Sequence, residues 1–185
     1  MGAKLILMTQ TVETAFDTRA FRQALGQFPT GVCIVTATVE GERLGMTVSS
    51  FNSLSLMPPL VLFSIDRRAA SLPLWERAEA YAVNVLAENQ KDLSNRFARS
   101  LTNKWEAISH AEGLSAAPIL PGAIAIFECE AFARHDGGDH LLLVAKVKRF
   151  HVNEDRWPLV FGKGRYAALA PSELPAPLWP LAIHY

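Results

Sequence analysis

Two apolar, β-rich runs, residues 123–134 and 140–152, are separated only by His135-Asp136-Gly137-Gly138-Asp139. Nothing else in the chain restricts its fold as much. The two glycines give access to φ > 0, so the runs are expected to be long strands joined by a tight turn. Shorter strand candidates come before them. Residues 32–39 and 44–51 flank Glu40-Gly41-Glu42-Arg43, a hairpin signal. Residues 60–65 are short and continuously apolar, the pattern of a strand buried on both faces, and residues 80–86 form another strand. Residues 157–161 supply a last short one.

Helical periodicity is scarcer. Over residues 16–28, Asp17 is placed to cap a helix and Phe16 and Phe21 to staple it. Phe21, Ala24, Leu25 and Phe28 then share one face, and Pro29 ends the run. Residues 67–79 read as a helix capped by Ser71, with Pro73 in its first turn. Residues 91–99 read as a short helix followed by a polar loop over 100–110. The tail carries Pro171, Pro175, Pro177 and Pro180, which favours an extended surface segment. Many strands with few short peripheral helices predict a mainly β fold, a barrel of modest size. With 185 residues, no repeat and no linker, the chain is expected to form one domain.

Charge narrows the function. Lys plus Arg and Asp plus Glu number 18 each, so no basic field exists to attract nucleic acid or an anionic membrane. No run reaches the ~20 apolar residues of a membrane-spanning helix, and the start lacks a signal-peptide core, so a cytoplasmic protein is expected. Cys33 and Cys129 sit in apolar runs and read as reduced core thiols. No Cys or His spacing suits a metal. The chain shows no dinucleotide or P-loop glycine pattern, no Gly-x-Ser-x-Gly elbow and no His-Glu-x-x-His. A redox enzyme whose cofactor carries the chemistry needs none of these.

Residues 45–60 set Thr47, Ser49, Ser50, Ser53 and Ser55 in a strand-like stretch that stops at Pro58-Pro59. Buried hydroxyls need partners, so this is poor core filler. It reads either as a wetted surface strand or as a polar edge for a flat ligand.

Five segments occur in order: Phe28-Pro29-Thr30-Gly31-Val32-Cys33-Ile34-Val35-Thr36, residues 45–60, Tyr81-Ala82-Val83-Asn84-Val85-Leu86, Gly138-Asp139-His140 and Pro158-Leu159-Val160-Phe161. Together they resemble the flavin reductase family, the small reductase components of two-component flavin-dependent monooxygenases. The resemblance spans about residues 16–166, leaving 1–15 as an N-terminal extension and 171–185 as a Pro-rich tail. It implies an FMN-binding split β-barrel, a homodimer, and reduction of FAD or FMN by NADH or NADPH. The reduced flavin would then serve a partner monooxygenase acting on an aromatic or related ring compound. Two alternatives stay open: a flavoprotein that keeps its flavin to reduce a metal centre or corrinoid, and a non-catalytic flavin-binding barrel.

The resemblance also assigns residues. Gly45 would let the backbone approach the flavin, with Met46, Thr47, Ser49 and Ser50 along the same edge. Ser64, Ile65 and Asp66 would meet the ribityl chain and phosphate, with Ser71 at a helix start offering an anion site. Arg67 or Arg68 either adds charge there or is solvated. Asn84 is either a flavin contact or a structural hydrogen bond. Phe97 lies near flavin or in the core, and Lys104, beside Trp105, lies near flavin or in solvent. His140 is expected to orient the nicotinamide, making positioning the main catalytic contribution. Arg165 and Tyr166 would help hold the nucleotide. The chain departs from the family at Ala145-Lys146-Val147, where many relatives carry Gly, which narrows any close backbone approach.

Overall fold

The computed structural model describes residues 16–100, 103–153 and 155–169. The expected extension 1–15 and tail 171–185 lie outside them. The elements run α1 (Thr18–Leu25), β1 (Thr30–Gly31), β2 (Cys33–Val39), β3 (Glu42–Val48), β4 (Asn52–Leu56), β5 (Pro59–Asp66), α2 (Leu72–Arg77) and β6 (Ala80–Val85). After them come α3 (Lys91–Phe97), β7 (Ala111–Glu112), β8 (Pro118–Ile119), β9 (Ala125–Gly137), β10 (His140–Val152), β11 (Val160–Gly162) and β12 (Arg165–Ala167). No helix among the described residues is long and apolar enough to cross a membrane.

The long hairpin dominates. β9 and β10 pair along almost their whole length, with register shifts near Val144 and Val147 that bend the ladder. The turn is tighter than the sequence implied. Strand pairing continues to Gly137, which faces His140, leaving only Gly138 and Asp139 in the loop. Gly138 has φ +74°, and positive φ at the first loop position is the type II′ pattern that suits strand twist. Glu40-Gly41 closes the β2–β3 hairpin instead with positive φ at both positions, 52° and 82°, as a type I′ turn does. Glu42 and Arg43, expected in that turn, belong to β3.

Seven strands form one antiparallel sheet in the order β3-β2-β6-β9-β10-β5-β4. Its two edges, β3 and β4, do not pair with each other, so the barrel is split. They are successive in sequence, joined only by Ser49-Ser50-Phe51. The hydroxyl-rich segment therefore supplies both edges and the crossing between them, rather than one continuous strand.

Two apolar clusters fill the fold. The larger lies within the sheet and under α2, around Val35, Phe63, Trp75, Tyr81, Val83 and Leu143. The second lies behind β2, beneath α3, and joins Val32, Ile34, Leu86, Phe97, Leu120 and Leu159. β2 and β6 are consequently the strands covered on both faces. β5 was expected to be so covered, but only Val61, Phe63 and Ile65 are buried, and Leu60, Leu62 and Ser64 are half-buried. No layer of described residues covers that face. Cys33 and Cys129 are buried, which pushes both thiols up to about 12.

Candidate functional site

The α1 cap forms as expected: the Asp17 carboxylate accepts from the Arg19 and Ala20 N–H groups. Phe16 and Phe21 meet edge to face at 5.1 Å between ring centres. Yet no residue of α1 is buried, and Phe28 is 77% exposed. The helix keeps its apolar stripe turned away from the described core.

α3 governs the outer face of β3. The Thr47 hydroxyl donates to the Ser94 carbonyl at 2.7 Å. Phe97 is fully buried and packs against Trp105 at 4.8 Å. A Cβ added to Gly45 would overlap the Phe97 ring. The bare Cα of Gly45 thus makes room for that ring, and Phe97 is core, one of the two readings left open for it.

Beside this contact lies a cleft of about 160 Å³ lined by Val32, Thr47, Val48, Ser49, Ser94, Ala98, Phe161 and Tyr166. Tyr166 is built into its wall. The phenol donates to Asn95 Oδ1 at 2.9 Å and lies 2.9 Å from the Ser94 hydroxyl. Its ring meets Phe161 edge-on at 5.4 Å, with Lys91 Nζ 5.6 Å from the ring centre. The cleft thus combines an aromatic wall with hydroxyls and the exposed edge of β3, whose outward backbone groups have no strand partner. That donor set fits a flat heteroaromatic ring with one polar edge.

A second cleft, of about 140 Å³, opens two residues back along β3, about 7 Å at strand rise. Glu42, Arg43, Leu44, Gly45, Ser71, Lys104 and Trp105 line it. Lys104 is half-buried. Its ammonium donates to the Gly45 and Phe97 carbonyls at 3.3 and 3.4 Å, and burial lowers its pKa. Arg43 lies over the Trp105 ring at 5.7 Å. Ser71 precedes α2 as expected, but its hydroxyl accepts the Trp75 indole N–H and caps no backbone group.

A third group gathers where β5 meets β10. Ser50 Oγ accepts from the Ser64 N–H at 3.0 Å, fastening the β3–β4 crossing to β5. Asp66 stands opposite His140 in the ladder. Arg68 binds Asp66 through its guanidinium at 3.1 and 2.7 Å and its N–H at 2.8 Å. Those bonds hold the Asp66 carboxyl well below the usual range. Arg67 is occupied with the β9–β10 turn. Both guanidinium groups thus have carboxylate partners.

The remaining expectations divide. Asn84 is fully buried; its amide donates to the Ile34 carbonyl at 3.1 Å and its Oδ1 accepts the Leu120 N–H at 2.8 Å. These are structural hydrogen bonds, one of the two readings left open for it. Ile65 is core and Met46 packs against that core, so neither side chain faces a cleft. Arg165 is exposed on β12, across the ladder from Gly162. Sequence reasoning missed Ser94 and Asp139 as individual contributors. Ser94 carries a signal, since it shares a helix face with Phe97 three residues on.

Comparison with known proteins gives four consistent findings. Residues 25–170 match the family described as Flavin reductase like domain. The chain is 39% identical over 164 residues to the flavin-dependent monooxygenase reductase subunit HsaB of Rhodococcus jostii, covering 88% of this chain and 84% of that protein. It is 42% identical over 154 residues to the FMN reductase (NADH) SmoA of Agrobacterium fabrum, covering 81% and 85%. Among solved structures, the NADH:FAD oxidoreductase SgcE6 of Streptomyces globisporus, in complex with NAD and FAD fragments, superposes with a TM-score of 0.81. That alignment has 33% identity and covers 85% of this chain and 95% of that one.

Proposed function

The chain belongs to the flavin reductase-like family, and from that premise we propose that it reduces FAD or FMN with a reduced nicotinamide nucleotide and supplies the product to a separate monooxygenase. Its relatives include an NADH-dependent FMN reductase and a monooxygenase reductase subunit, which supports both halves of this reading. Bound flavin supplies the two-electron redox chemistry. The protein's work is to bind, orient and exclude water.

One observation carries the placement of the flavin ring: the hydroxyl-rich edge of β3 and the Phe161–Tyr166 wall line one cleft. Thr47 and Ser49 offer hydroxyl and backbone groups to a polar ring edge, and Val32, Phe161 and Tyr166 offer apolar surface. The neighbouring cleft, with Arg43 and Lys104, suits the phosphate end. His140, opposite Asp66 where β10 meets β5, is the residue that would meet the nicotinamide delivering hydride to that ring.

Titration of FAD and FMN, followed by flavin fluorescence, tests the placement. Ala98 lines the cleft and is exposed, so Ala98→Phe fills it with little cost to folding. Wild type should bind saturably and Ala98→Phe at least tenfold more weakly; equal affinity would overturn the placement.

We also propose that the protein is a homodimer, which is supported by the unburied apolar stripe of α1. A second copy is the occupant that covers Phe21, Leu25 and Phe28.

A further inference from the structure

His140 opens β10, and what surrounds it fixes more than its position. Gly137 pairs with His140, so only Gly138 and Asp139 form the turn. Arg67, just beyond the end of β5, holds both of that turn's carbonyls. Its N–H donates to the Asp139 carbonyl at 2.9 Å and its Nε–H to the Gly138 carbonyl at 3.0 Å. Its guanidinium also pairs with Asp136. One side chain and its backbone thus fasten the turn to the end of β5 at three points.

Two carboxylates flank the imidazole. Asp66, directly across the ladder, is already taken by Arg68 through both oxygens. Asp139 is the one that binds, with Oδ1 2.7 Å from His140 Nδ1. The Asp139 side chain is 82% exposed, and an exposed carboxyl is ionised at neutral pH. An ionised carboxylate can only accept, and Nδ1 must therefore carry the proton. In the neutral ring Nε2 is then a bare lone pair, and the side chain is 41% exposed.

We propose that Asp139 is a positioning residue that holds neutral His140 as its Nδ1–H tautomer, presenting Nε2 as a hydrogen-bond acceptor on a turn locked by Arg67. The group such an acceptor recognises is an N–H donor. Resting on the function proposed above, that donor is the primary carboxamide of the reduced nicotinamide. His140 in this arrangement reads the carboxamide through Nε2.

The tautomer is measurable on the ligand-free protein. Long-range ¹H–¹⁵N spectra of the ¹⁵N-histidine-labelled chain are recorded at about pH 8.5, two units above the usual imidazole pKa. His140 should show a protonated Nδ1 in wild type and in Asp139→Asn, whose Oδ1 still accepts. Asp139→Ala should lose that preference. A protonated Nε2 in wild type, or the same spectrum in Asp139→Ala, overturns the positioning role. Kinetics supply the second arm. Asp139→Ala should raise the KM for reduced nucleotide about tenfold, while kcat and the flavin KM stay within twofold and Asp139→Asn remains near wild type. A correct tautomer with an unchanged nucleotide KM overturns the carboxamide contact. Absence of any reductase activity in wild type is a different failure, of the proposed function, and leaves the spectroscopic test of the tautomer standing.

Discussion

The Phe97 ring lies against the bare Cα of Gly45, so close that a Cβ there would overlap it. This contact seats α3 on β3 and shapes both clefts along that strand. Gly45→Ala should cost about 1–3 kcal/mol, the usual range for overpacking. Phe97→Leu alone should also destabilise, by loss of buried surface. Chemical denaturation of both single variants and the double checks the coupling. The account expects the double variant to be more stable than the sum of the singles predicts; strict additivity would contradict it.

Asn84 holds β2, β6 and the chain before β9 together through buried bonds. Asn84→Ala strands the Leu120 N–H, so a loss of about 1–3 kcal/mol is expected. Flavin affinity of the folded variant should be unchanged. Weaker flavin binding at unaltered stability would favour the ligand role instead.

Glu128 accepts two hydrogen bonds from Arg149, at 2.6 and 2.7 Å, and the Leu114 N–H at 2.7 Å. Arg149 first, with the Leu114 N–H adding to it, lowers its pKa below 4.5. The folded state thus favours the ionised form, and the unfolded chain takes up the proton at higher pH. The stability this contributes is present above 4.5 and lost as pH falls through the depressed folded value. Melting temperature measured from pH 7 down to about pH 3 should fall less steeply for Glu128→Gln than for wild type. Parallel curves would show that Glu128 contributes nothing to acid sensitivity.

Leu25 and Phe28 carry the exposed stripe of α1. Leu25→Glu places a charge there without touching the described core. Sedimentation at micromolar concentration should show wild type as a dimer and the variant as a monomer, with far-UV circular dichroism unchanged. A dimeric variant would locate the interface elsewhere.

Much of this was legible in the sequence because its signals are local. The Asp17 cap, the Phe16–Phe21 staple, the glycine turn before His140 and the apolar runs each follow from a few adjacent residues. What was not legible depends on contacts far apart in the chain. Gly45 suggested a ligand approach, and the ring that fills the space of its missing Cβ lies 52 positions away, on α3. Asn84 carries the same lesson: its partners Ile34 and Leu120 lie 50 and 36 positions away. β5 failed differently, since a continuous apolar run cannot say whether a second layer covers it. Conversely, the pairing of Tyr166 with Ser94 and Asn95 has no local signature at all.

The central claim, nucleotide-dependent flavin reduction, is tested most directly by the oxidation of NADH and NADPH by the purified full chain at 340 nm, with and without added FAD or FMN. The account predicts turnover that requires at least one flavin and saturates in both substrates. No flavin-dependent oxidation with either nucleotide would contradict it.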